Sequence, residues 1–264
     1  MRYENLEIRR EGRVAVVTLD RPERGNALST TLMREIEHAA LAFREDMETR
    51  VVVFTGSGKH FSVGADLKDP AQAASFSLPL LERRRRFELG PRMIRALRDM
   101  DQVTLAAVNG MALGGGACLA SALDFRIGAE DCEVGYPESG LAIPLSWVSL
   151  PLCVHLVGPS RAKRWLMTGE RLGASTLLDW GFLDEVASPD GLMARAMERA
   201  ELYASRPPVA LQMIKRSVNA LVGALDEAVM HMDGDQVLLA QTGRDFREAV
   251  TAFLEKRRPE FEGG

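Results

Sequence analysis

Three short runs of apolar and β-branched residues constrain the fold of this chain more than any other feature. They occupy residues 14–19, 51–55 and 103–108. Each run is apolar at nearly every position, which is typical of a strand buried on both faces under helices. Helical periodicity follows the first run, with Ser29 or Thr30 as the expected N-cap. The pattern predicts an α/β protein whose central strands lie under helices.

The pattern changes near residue 190, where strand signals give way to helical ones. Four helical stretches are expected, at residues 191–204, 209–222, 225–240 and 245–256. We therefore divide the chain into an α/β core over residues 1–190 and a helical region over residues 191–264. The helical region has more apolar residues than a solvated appendage needs, which indicates that it packs against another surface.

Charge and cysteine content argue against several classes of function. The chain has 33 Lys and Arg against 37 Asp and Glu, a net charge of -4, whereas proteins that bind a nucleic-acid backbone are usually basic. Its three cysteines form no C-x-x-C pair, so neither a disulfide framework nor a zinc site is indicated. No run approaches the ~18 apolar residues of a membrane helix. We expect a cytoplasmic protein without a metal site, membrane span or nucleic-acid partner.

Two glycine-rich segments are the candidate site. They span residues 58–68 and 107–117, whereas a G-x-S-x-G elbow, a P-loop and an H-E-x-x-H motif are all missing from the sequence. Each segment follows a predicted strand and precedes a predicted helix N-terminus, whose free N–H groups favour an anion. Two such turns at neighbouring strand ends could direct one N–H each at a single oxygen, as in an oxyanion hole. The alternative is that the glycines only permit tight turns and close helix packing.

These segments and several others resemble the enoyl-CoA hydratase/isomerase (crotonase) family almost from end to end. The further matching segments are Asp20-Arg21-Pro22, Asn26-Ala27-Leu28, Tyr136-Pro137-Glu138 and Ala252-Phe253-Leu254-Glu255-Lys256-Arg257. The resemblance implies a crotonase-like α/β fold, a spiral of ββα units with a C-terminal helical trimerisation region. It also implies a homotrimer or homohexamer. The substrate would be an acyl-CoA thioester that carries its own coenzyme A, with no separate cofactor.

The resemblance also assigns catalytic roles to three residues. Ala65 and Gly115 match the positions whose backbone N–H groups form the family's oxyanion hole, where the thioester carbonyl takes on enolate character. Glu138 matches a glutamate that moves protons at the acyl chain. Family hydratases use this glutamate with a second one, because hydration needs a base for the water and a proton for the α-carbon.

Three further residues match positions that contact coenzyme A in the family. Lys68 corresponds to a position near the CoA phosphates. Phe253 and Lys256 correspond to positions where the C-terminal helix, often that of a neighbouring subunit, contacts the CoA nucleotide. The alternative for both lysines is an ordinary surface position.

The sequence departs from the family hydratases at two places. Cys118 stands where their other glutamate follows the three-glycine turn, and a thiol cannot orient a water as a carboxylate does. We interpret Cys118 as a small buried helix residue. Between Glu138 and Pro144 the chain is one residue shorter than many hydratases, and Val148-Ser149 occupy a position that is commonly Gly-Gly.

The resemblance points to an enoyl-CoA hydratase/isomerase acting on 2- or 3-enoyl-CoA, with Glu138 as its acid and base. A single carboxylate suits a proton shuttle, as in family isomerases, so hydration and isomerisation both stay open. Decarboxylation and thioester hydrolysis are further possibilities on this scaffold. An alternative of another class is a non-catalytic protein that binds CoA or RNA. The negative charge argues against RNA, and the retained glycines argue against an inactive pocket.

Overall fold

The computed structural model describes residues 3–75 and 77–264, apart from the side chains of residues 73, 75, 253 and 254. The strands are β1 (Leu6–Glu11), β2 (Val14–Leu19), β3 (Val51–Gly56), β4 (Val103–Val108), β5 (Met111–Leu113), β6 (Phe125–Ala129), β7 (Glu133–Gly135), β8 (Arg171–Gly173) and β9 (Glu185–Ala187).

The α-helices of the core and of the C-terminal region follow the same chain order. They are α1 (Thr30–Ala42), α2 (Pro70–Ser75), α3 (Leu80–Phe87), α4 (Leu89–Arg98), α5 (Gly115–Ala122), α6 (Ser149–Val157), α7 (Pro159–Thr168), α8 (Ala174–Trp180), α9 (Leu192–Ala204), α10 (Pro208–Val222), α11 (Asp226–Met230), α12 (Asp233–Ala240) and α13 (Arg244–Glu255). In the described residues, no helix has the length and apolar character needed to cross a bilayer.

A six-stranded sheet forms the centre of the core, in the order β1-β2-β3-β4-β6-β9. Strand β1 is antiparallel to β2, and every later neighbouring pair is parallel. All residues of β3 and β4 are buried, as their continuous apolar sequences predict. Helix α9 packs across β2, β3, β4 and β6. Residues 192–204 therefore cover the main sheet.

A second, three-stranded sheet in the order β5-β7-β8 lies beside the turns that leave the main sheet. Strand β4 leads to β5 and then α5, and strand β6 leads to β7 and then a 3-10 turn over Pro137–Leu141. Isolated parallel bridges join Ser62 to Ala112 and Leu28 to Ala65, which extends the same arrangement to the earlier turns. The chain therefore winds as successive ββα units, as predicted.

Two local predictions differ from the structure. Strand β1 was not expected because residues 6–11 are rich in charge, but they form an exposed edge strand, where charged residues limit further strand pairing. The helix expected over residues 225–240 is divided into α11 and α12. This division puts Asp233 at the first residue of α12, where its carboxylate accepts a hydrogen bond from the Val148 N–H at 2.9 Å.

Buried charged pairs join the C-terminal helices to the core. Lys215 of α10 lies 2.7 Å from the Asp124 carboxylate. Asp226 of α11 pairs with Arg98 at 3.1 Å and accepts a hydrogen bond from His155 Nε2 at 2.8 Å. These contacts fix the position of residues 208–240 relative to the candidate site.

Candidate active site

The two glycine turns lie against each other because their backbones pair. Ser62 donates its N–H to the Met111 carbonyl (3.0 Å), and Leu113 donates to the Ser62 carbonyl (2.9 Å). Gly64 has a φ of +95°, and a Cβ on it would lie 2.7 Å from the Leu113 oxygen and 3.5 Å from the Gly115 nitrogen. Only glycine permits this backbone conformation at this separation. The pairing places the residue after Gly64 beside the first residue of α5.

The backbone N–H groups of Ala65 and Gly115 are both available to a ligand. Leu28 donates to the Gly64 carbonyl at 2.8 Å and accepts from the Asp66 N–H at 3.1 Å. This parallel bridge turns the N–H of the intervening Ala65 away from Leu28. Gly115 is the first residue of α5, so its N–H has no intrahelical acceptor. Within the described part of the chain, neither N–H has a hydrogen-bond acceptor.

Side chains from the segment between β2 and α1, which contains the Asp20-Arg21-Pro22 and Asn26-Ala27-Leu28 motifs, hold this geometry in place. Asn26 is fully buried, and its amide donates to the carbonyls of Ser57 (2.9 Å) and His60 (2.7 Å). Arg21 forms an ion pair with Asp66 at 2.9 Å, one residue after Ala65. The motif residues therefore hold the first glycine turn in shape, whereas the backbone of that turn faces the ligand.

The Glu138 carboxylate lies next to the second glycine turn. Gly114 donates its N–H to the Gly135 carbonyl at 2.9 Å, which brings the 3-10 turn Pro137–Leu141 to the start of α5. A Cβ on Gly114 would lie 3.1 Å from Glu138 Oε1, while Oε2 is buried and lacks a hydrogen-bond partner among the described residues. Burial raises the pKa of Glu138 from 4.5 to about 7. A carboxyl group with this pKa can both accept and return a proton at neutral pH.

Cys118 lies one helical turn beyond the glycines and is 2% exposed. Burial, together with the nearby Glu138 charge, raises the pKa of its thiol well above the ordinary range. The thiol is therefore neutral and unreactive, because the thiolate is the nucleophile. The sequence interpretation of Cys118 as a small buried helix residue agrees with this burial. A second carboxylate is missing from this position.

Trp147 lies beside Gly115, in a loop that precedes α6. A Cβ on Gly115 would lie 2.5 Å from Cζ3 of the indole, and a Cβ on Gly90 of α4 would lie 2.6 Å from its Cδ2. Trp147 and Val148 have φ values of +58° and +60°. Burial raises the pKa of Asp233, the acceptor of the Val148 N–H, to about 6.

Sequence reasoning missed both Trp147 and Asp233. The signal for Trp147 was present, because the loop departs from the glycine pair that the resemblance leads one to expect. The left-handed backbone lies at residues 147 and 148, however, one residue earlier than the departure identified at Val148-Ser149. Asp233 had no local signal, since its hydrogen-bond partner is 85 residues away in the sequence.

Of the three residues expected to contact coenzyme A, two have described side chains, and both lie at the surface. Lys68 and Lys256 are exposed, and the Lys68 N–H donates to Asp66 Oδ1 at 3.0 Å. The side chain of Phe253 lies outside the described residues. Helix α13, which precedes Lys256, packs against the turn Pro137–Leu141 of the same chain. The C-terminal helix therefore reaches the Glu138 turn within one subunit.

Comparison with known sequences shows similarity along nearly the whole chain. Residues 9–264 match the family model for enoyl-CoA hydratase/isomerase. A crotonyl-CoA hydratase of Syntrophomonas wolfei is 34% identical over 262 residues, with 99% of each chain covered. A short-chain-enoyl-CoA hydratase of Clostridium acetobutylicum is 32% identical over 261 residues, with 98% of each chain covered.

Solved structures show the same similarity in three dimensions. A carnitinyl-CoA hydratase from Mycobacterium avium is 30% identical and superposes with a TM-score of 0.86, covering 98% of this chain and 99% of that one. An enoyl-CoA hydratase from Mycobacterium avium subsp. paratuberculosis is 25% identical with a TM-score of 0.88, covering 99% of this chain and 100% of that one. These matches confirm the predicted spiral fold and its helical C-terminal region.

Proposed function

Because the chain belongs to the enoyl-CoA hydratase/isomerase family of acyl-CoA enzymes, we propose that it hydrates the double bond of a 2-enoyl-CoA thioester. The relatives named above are hydratases, which supports this reaction and does not favour decarboxylation, thioester hydrolysis or a non-catalytic role. The observation that carries the proposal is the position of Glu138. Its carboxylate lies against Gly114, directly before the free N–H of Gly115.

The thioester carbonyl oxygen binds between the N–H groups of Ala65 and Gly115. Negative charge develops on this oxygen when the enolate forms, and fixed donors in a site shielded from water stabilise that charge more than they stabilise the neutral carbonyl. The N-terminal end of α5 adds its partial positive charge at the same point. Both donors are backbone groups held by the pairing of the two turns, so they need no rearrangement during the reaction.

Glu138 serves as both base and acid in this proposal. In its ionised form it accepts a proton from water while the water oxygen bonds to the β-carbon, and the double-bond electrons move into the enolate. The protonated Glu138 then returns that proton to the α-carbon, so one water molecule has been added and the carboxylate is regenerated. A pKa of about 7 suits both steps, because the group exchanges its proton readily near neutral pH.

Cys118 favours a second candidate, migration of the double bond between a 3-enoyl and a 2-enoyl thioester. This reaction needs one carboxylate only, since Glu138 would remove a proton from the α-carbon and return it to the γ-carbon. No water has to be oriented, so the neutral buried thiol at residue 118 is no disadvantage.

A panel of 2-enoyl-CoA and 3-enoyl-CoA thioesters separates these candidates when the products are read by mass spectrometry. Hydration adds the mass of water, whereas migration leaves the mass unchanged and changes only the retention time and ultraviolet absorbance. We expect a mass gain with 2-enoyl-CoA. Turnover of 3-enoyl-CoA without any mass gain from either substrate would show that isomerisation is the reaction.

Assembly into a homotrimer or homohexamer is also proposed. The support is an apolar surface on the C-terminal helices that the chain itself leaves open. Its largest side chains include Val209, Met213, Leu221, Leu225 and Val229, which are 51–81% exposed. Val237 and Leu238 of α12 do not belong to this surface, because they are buried within the chain, at 1% and 8% exposed.

Exposed apolar residues in this number are typical of a surface that another subunit covers. Light scattering at micromolar concentration should give a mass three or six times that of the 29.0 kDa chain. Leu221→Glu with Leu225→Glu should shift the mass towards that of the single chain, whereas Met167→Glu on α7 is the matched exposed control. A wild-type mass of 29.0 kDa would contradict the proposed assembly.

The remaining parts of the proposal concern coenzyme A and the compartment. Lys68, Phe253 and Lys256 would contact the phosphates and nucleotide of the substrate's coenzyme A, and no separate cofactor is needed. The three free cysteines, all buried, are consistent with a reducing cytoplasm. Lys68→Glu should raise KM for acyl-CoA and leave kcat nearly unchanged, because it weakens binding at a distance from the reacting carbons. Lys163→Glu on α7 is a suitable control.

A further inference from the structure

The Trp147 indole fills the gap between α4 and α5 beside the proposed thioester site. A Cβ on either Gly90 or Gly115 would collide with the ring, at 2.6 Å from Cδ2 and 2.5 Å from Cζ3, respectively. Since a carbon–carbon bond is about 1.5 Å long, the ring lies within about 4 Å of both glycine Cα atoms. Glycine is present on each side, and the large side chain between the two helices is the indole.

The indole borders the place where the acyl chain of the proposed substrate begins. The thioester carbonyl is placed at the N–H of Gly115, and the α-carbon of the acyl group is bonded directly to that carbonyl. The face of Gly115 that a Cβ would occupy is covered by the indole and by Leu28, whose Cδ1 would be 3.0 Å from that Cβ. Carbons that follow the α-carbon therefore meet an aromatic wall within a few ångströms.

The loop that holds the indole is strained and secured from several directions. Trp147 and Val148 both have left-handed backbone, a strained conformation that is rare for residues with side chains as large as these. Asp233 of α12 accepts the Val148 N–H at 2.9 Å, and the Ser149 hydroxyl donates to the Trp147 carbonyl at 2.9 Å. Strain that the surroundings hold in place next to a reactive group points to a role in function.

We propose that Trp147 determines acyl-chain length and restricts the enzyme to short acyl groups. The inference rests on the proposed function only for the location of the thioester at Gly115. In a longer substrate, the distal methylenes would have to occupy the space between Gly90 and Gly115 that the indole already fills. Replacing the indole with hydrogen opens that space and leaves the oxyanion donors and Glu138 in place.

The test is equilibrium binding of two saturated thioesters, butyryl-CoA and decanoyl-CoA, to the wild type, Trp147→Gly and Trp147→Phe, measured by calorimetry. Neither ligand has a double bond, so the result does not depend on whether the enzyme hydrates or isomerises. Val148→Gly is the matched control, because it relieves the same left-handed strain and keeps the indole. The kcat/KM ratio for long and short 2-enoyl-CoA thioesters is then measured on the same four proteins.

In the wild type, we expect decanoyl-CoA to bind no more tightly than butyryl-CoA. Trp147→Gly should increase the affinity for decanoyl-CoA relative to butyryl-CoA by about 10–100-fold, as expected when a hydrophobic pocket accepts extra methylenes. Trp147→Phe should show a smaller increase, and it decides the question if Trp147→Gly does not fold. An unchanged ratio in the folded variants, or an equal increase in Val148→Gly, would overturn the proposal. If selectivity is unaltered and hydration is normal, the proposal for Trp147 fails and the proposed function stands. If selectivity is altered but no thioester is turned over, only the proposed function fails.

Discussion

Left-handed backbone occurs beside the candidate site both in the two glycine turns and in the loop before α6, which we call the tryptophan loop. The residues in this conformation are small in the turns and large in the loop. Gly64 and Gly114, with φ of +95° and +49°, present bare backbone to the ligand. Trp147 and Val148, with φ of +58° and +60°, place large side chains beside it. In our proposal, the glycine turns supply N–H donors that suit any thioester, whereas the tryptophan loop supplies a wall whose shape depends on one indole. We therefore attribute the chemistry to the glycine turns and substrate selection to the tryptophan loop.

The glycine turns and the tryptophan loop also differ in what stabilises them. Left-handed backbone costs glycine little, and the glycine turns are held by the strand pairing, the Asn26 amide and the Arg21–Asp66 ion pair. The tryptophan loop carries the strain of two bulky residues and relies on Asp233 from the C-terminal helices. Substitutions in the C-terminal helices should therefore disturb the tryptophan loop more than they disturb the oxyanion donors.

The largest expected effect on activity is that of replacing Glu138, the proposed acid and base beside the glycine turns. Glu138→Gln keeps the shape of the side chain and removes the exchangeable proton, so kcat should fall by about 10²–10⁴, the usual contribution of a general acid–base group. Steady-state rates on 2-enoyl-CoA measure the loss. Glu133→Gln in the neighbouring strand, where the carboxylate only pairs with Arg171 at 3.9 Å, should keep nearly full activity. A Glu138→Gln enzyme with comparable turnover would move the acid–base role to another residue.

Gly115→Val should affect both the oxyanion donors and the tryptophan loop. The new side chain should block the carbonyl from the N–H and lower kcat/KM by about 10²–10³, the effect of one lost oxyanion donor. It should also displace Trp147, since a Cβ there lies 2.5 Å from the ring, and lower the thermal midpoint as overpacking does.

The double variant Gly115→Val with Trp147→Gly separates these two effects. Removing the indole makes room for the valine, so the thermal midpoint should recover while the activity stays low. Recovery of activity together with stability would show that Gly115→Val acts only through the tryptophan loop.

The pH dependence should report the ionisation of Glu138 with a definite sign. The base is the ionised form, so kcat/KM should rise about tenfold per pH unit below 7 and level off above it. Stability should change in the opposite direction. Since folding raises the pKa of this group from 4.5 to about 7, its ionisation lowers the free energy of unfolding as the pH rises through that interval.

Glu138→Gln should remove both effects, and a stability profile measured by denaturant titration at several pH values checks the second one. The pKa of Asp233 is raised to about 6, so Asp233→Asn is the necessary control. If the inflection of kcat/KM disappears in Asp233→Asn but persists in a variant that alters another charge, the titrating group is Asp233 and not Glu138.

A smaller effect is expected for Asp233→Ala, which tests the support of the tryptophan loop. The Val148 N–H loses its acceptor in a buried position, which should cost about 1–3 kcal/mol in the free energy of unfolding. Asp235→Ala on the same helix removes an exposed pair with Arg84 and should have a much smaller effect, because solvent screens that pair. Equal losses in the two variants, measured by chemical denaturation, would show that Asp233 gives the loop no special support.

The smallest effect is expected for Cys118→Glu, which restores a second carboxylate beside Glu138. We expect the ratio of hydration to isomerisation to rise roughly threefold to tenfold, a fraction of the ~10²–10⁴ that a well-placed acid–base group supplies. The gain is limited because the new charge is buried next to Glu138 and the Ser149 hydroxyl. Cys118→Ala is the control for packing, and a ratio that is unchanged from this control would show that the new carboxylate does not reach the water.

Much of the fold was predictable because it follows from local patterns. Strands β2 and β4 have the predicted bounds, and Ser29 caps α1 by accepting the Leu32 N–H, as its position before an amphipathic run indicates. Strand β1 was not predictable in this way, because its charged sequence has little apolar signal and its pairing with β2 defines it. The break between α11 and α12 likewise depends on a partner in another part of the chain.

The two glycine turns could be predicted from the residues themselves, since glycine, proline and a short strand specify the backbone of a turn wherever it is placed. The position of Glu138 and the loss of the second glutamate at Cys118 were predicted from the family resemblance. Neither the residues nor the resemblance indicated that Trp147 lies between Gly90 and Gly115 or that Asp233 secures its loop. Contacts between segments this far apart are set by how helices pack, and packing depends on the shapes of all the side chains that meet there.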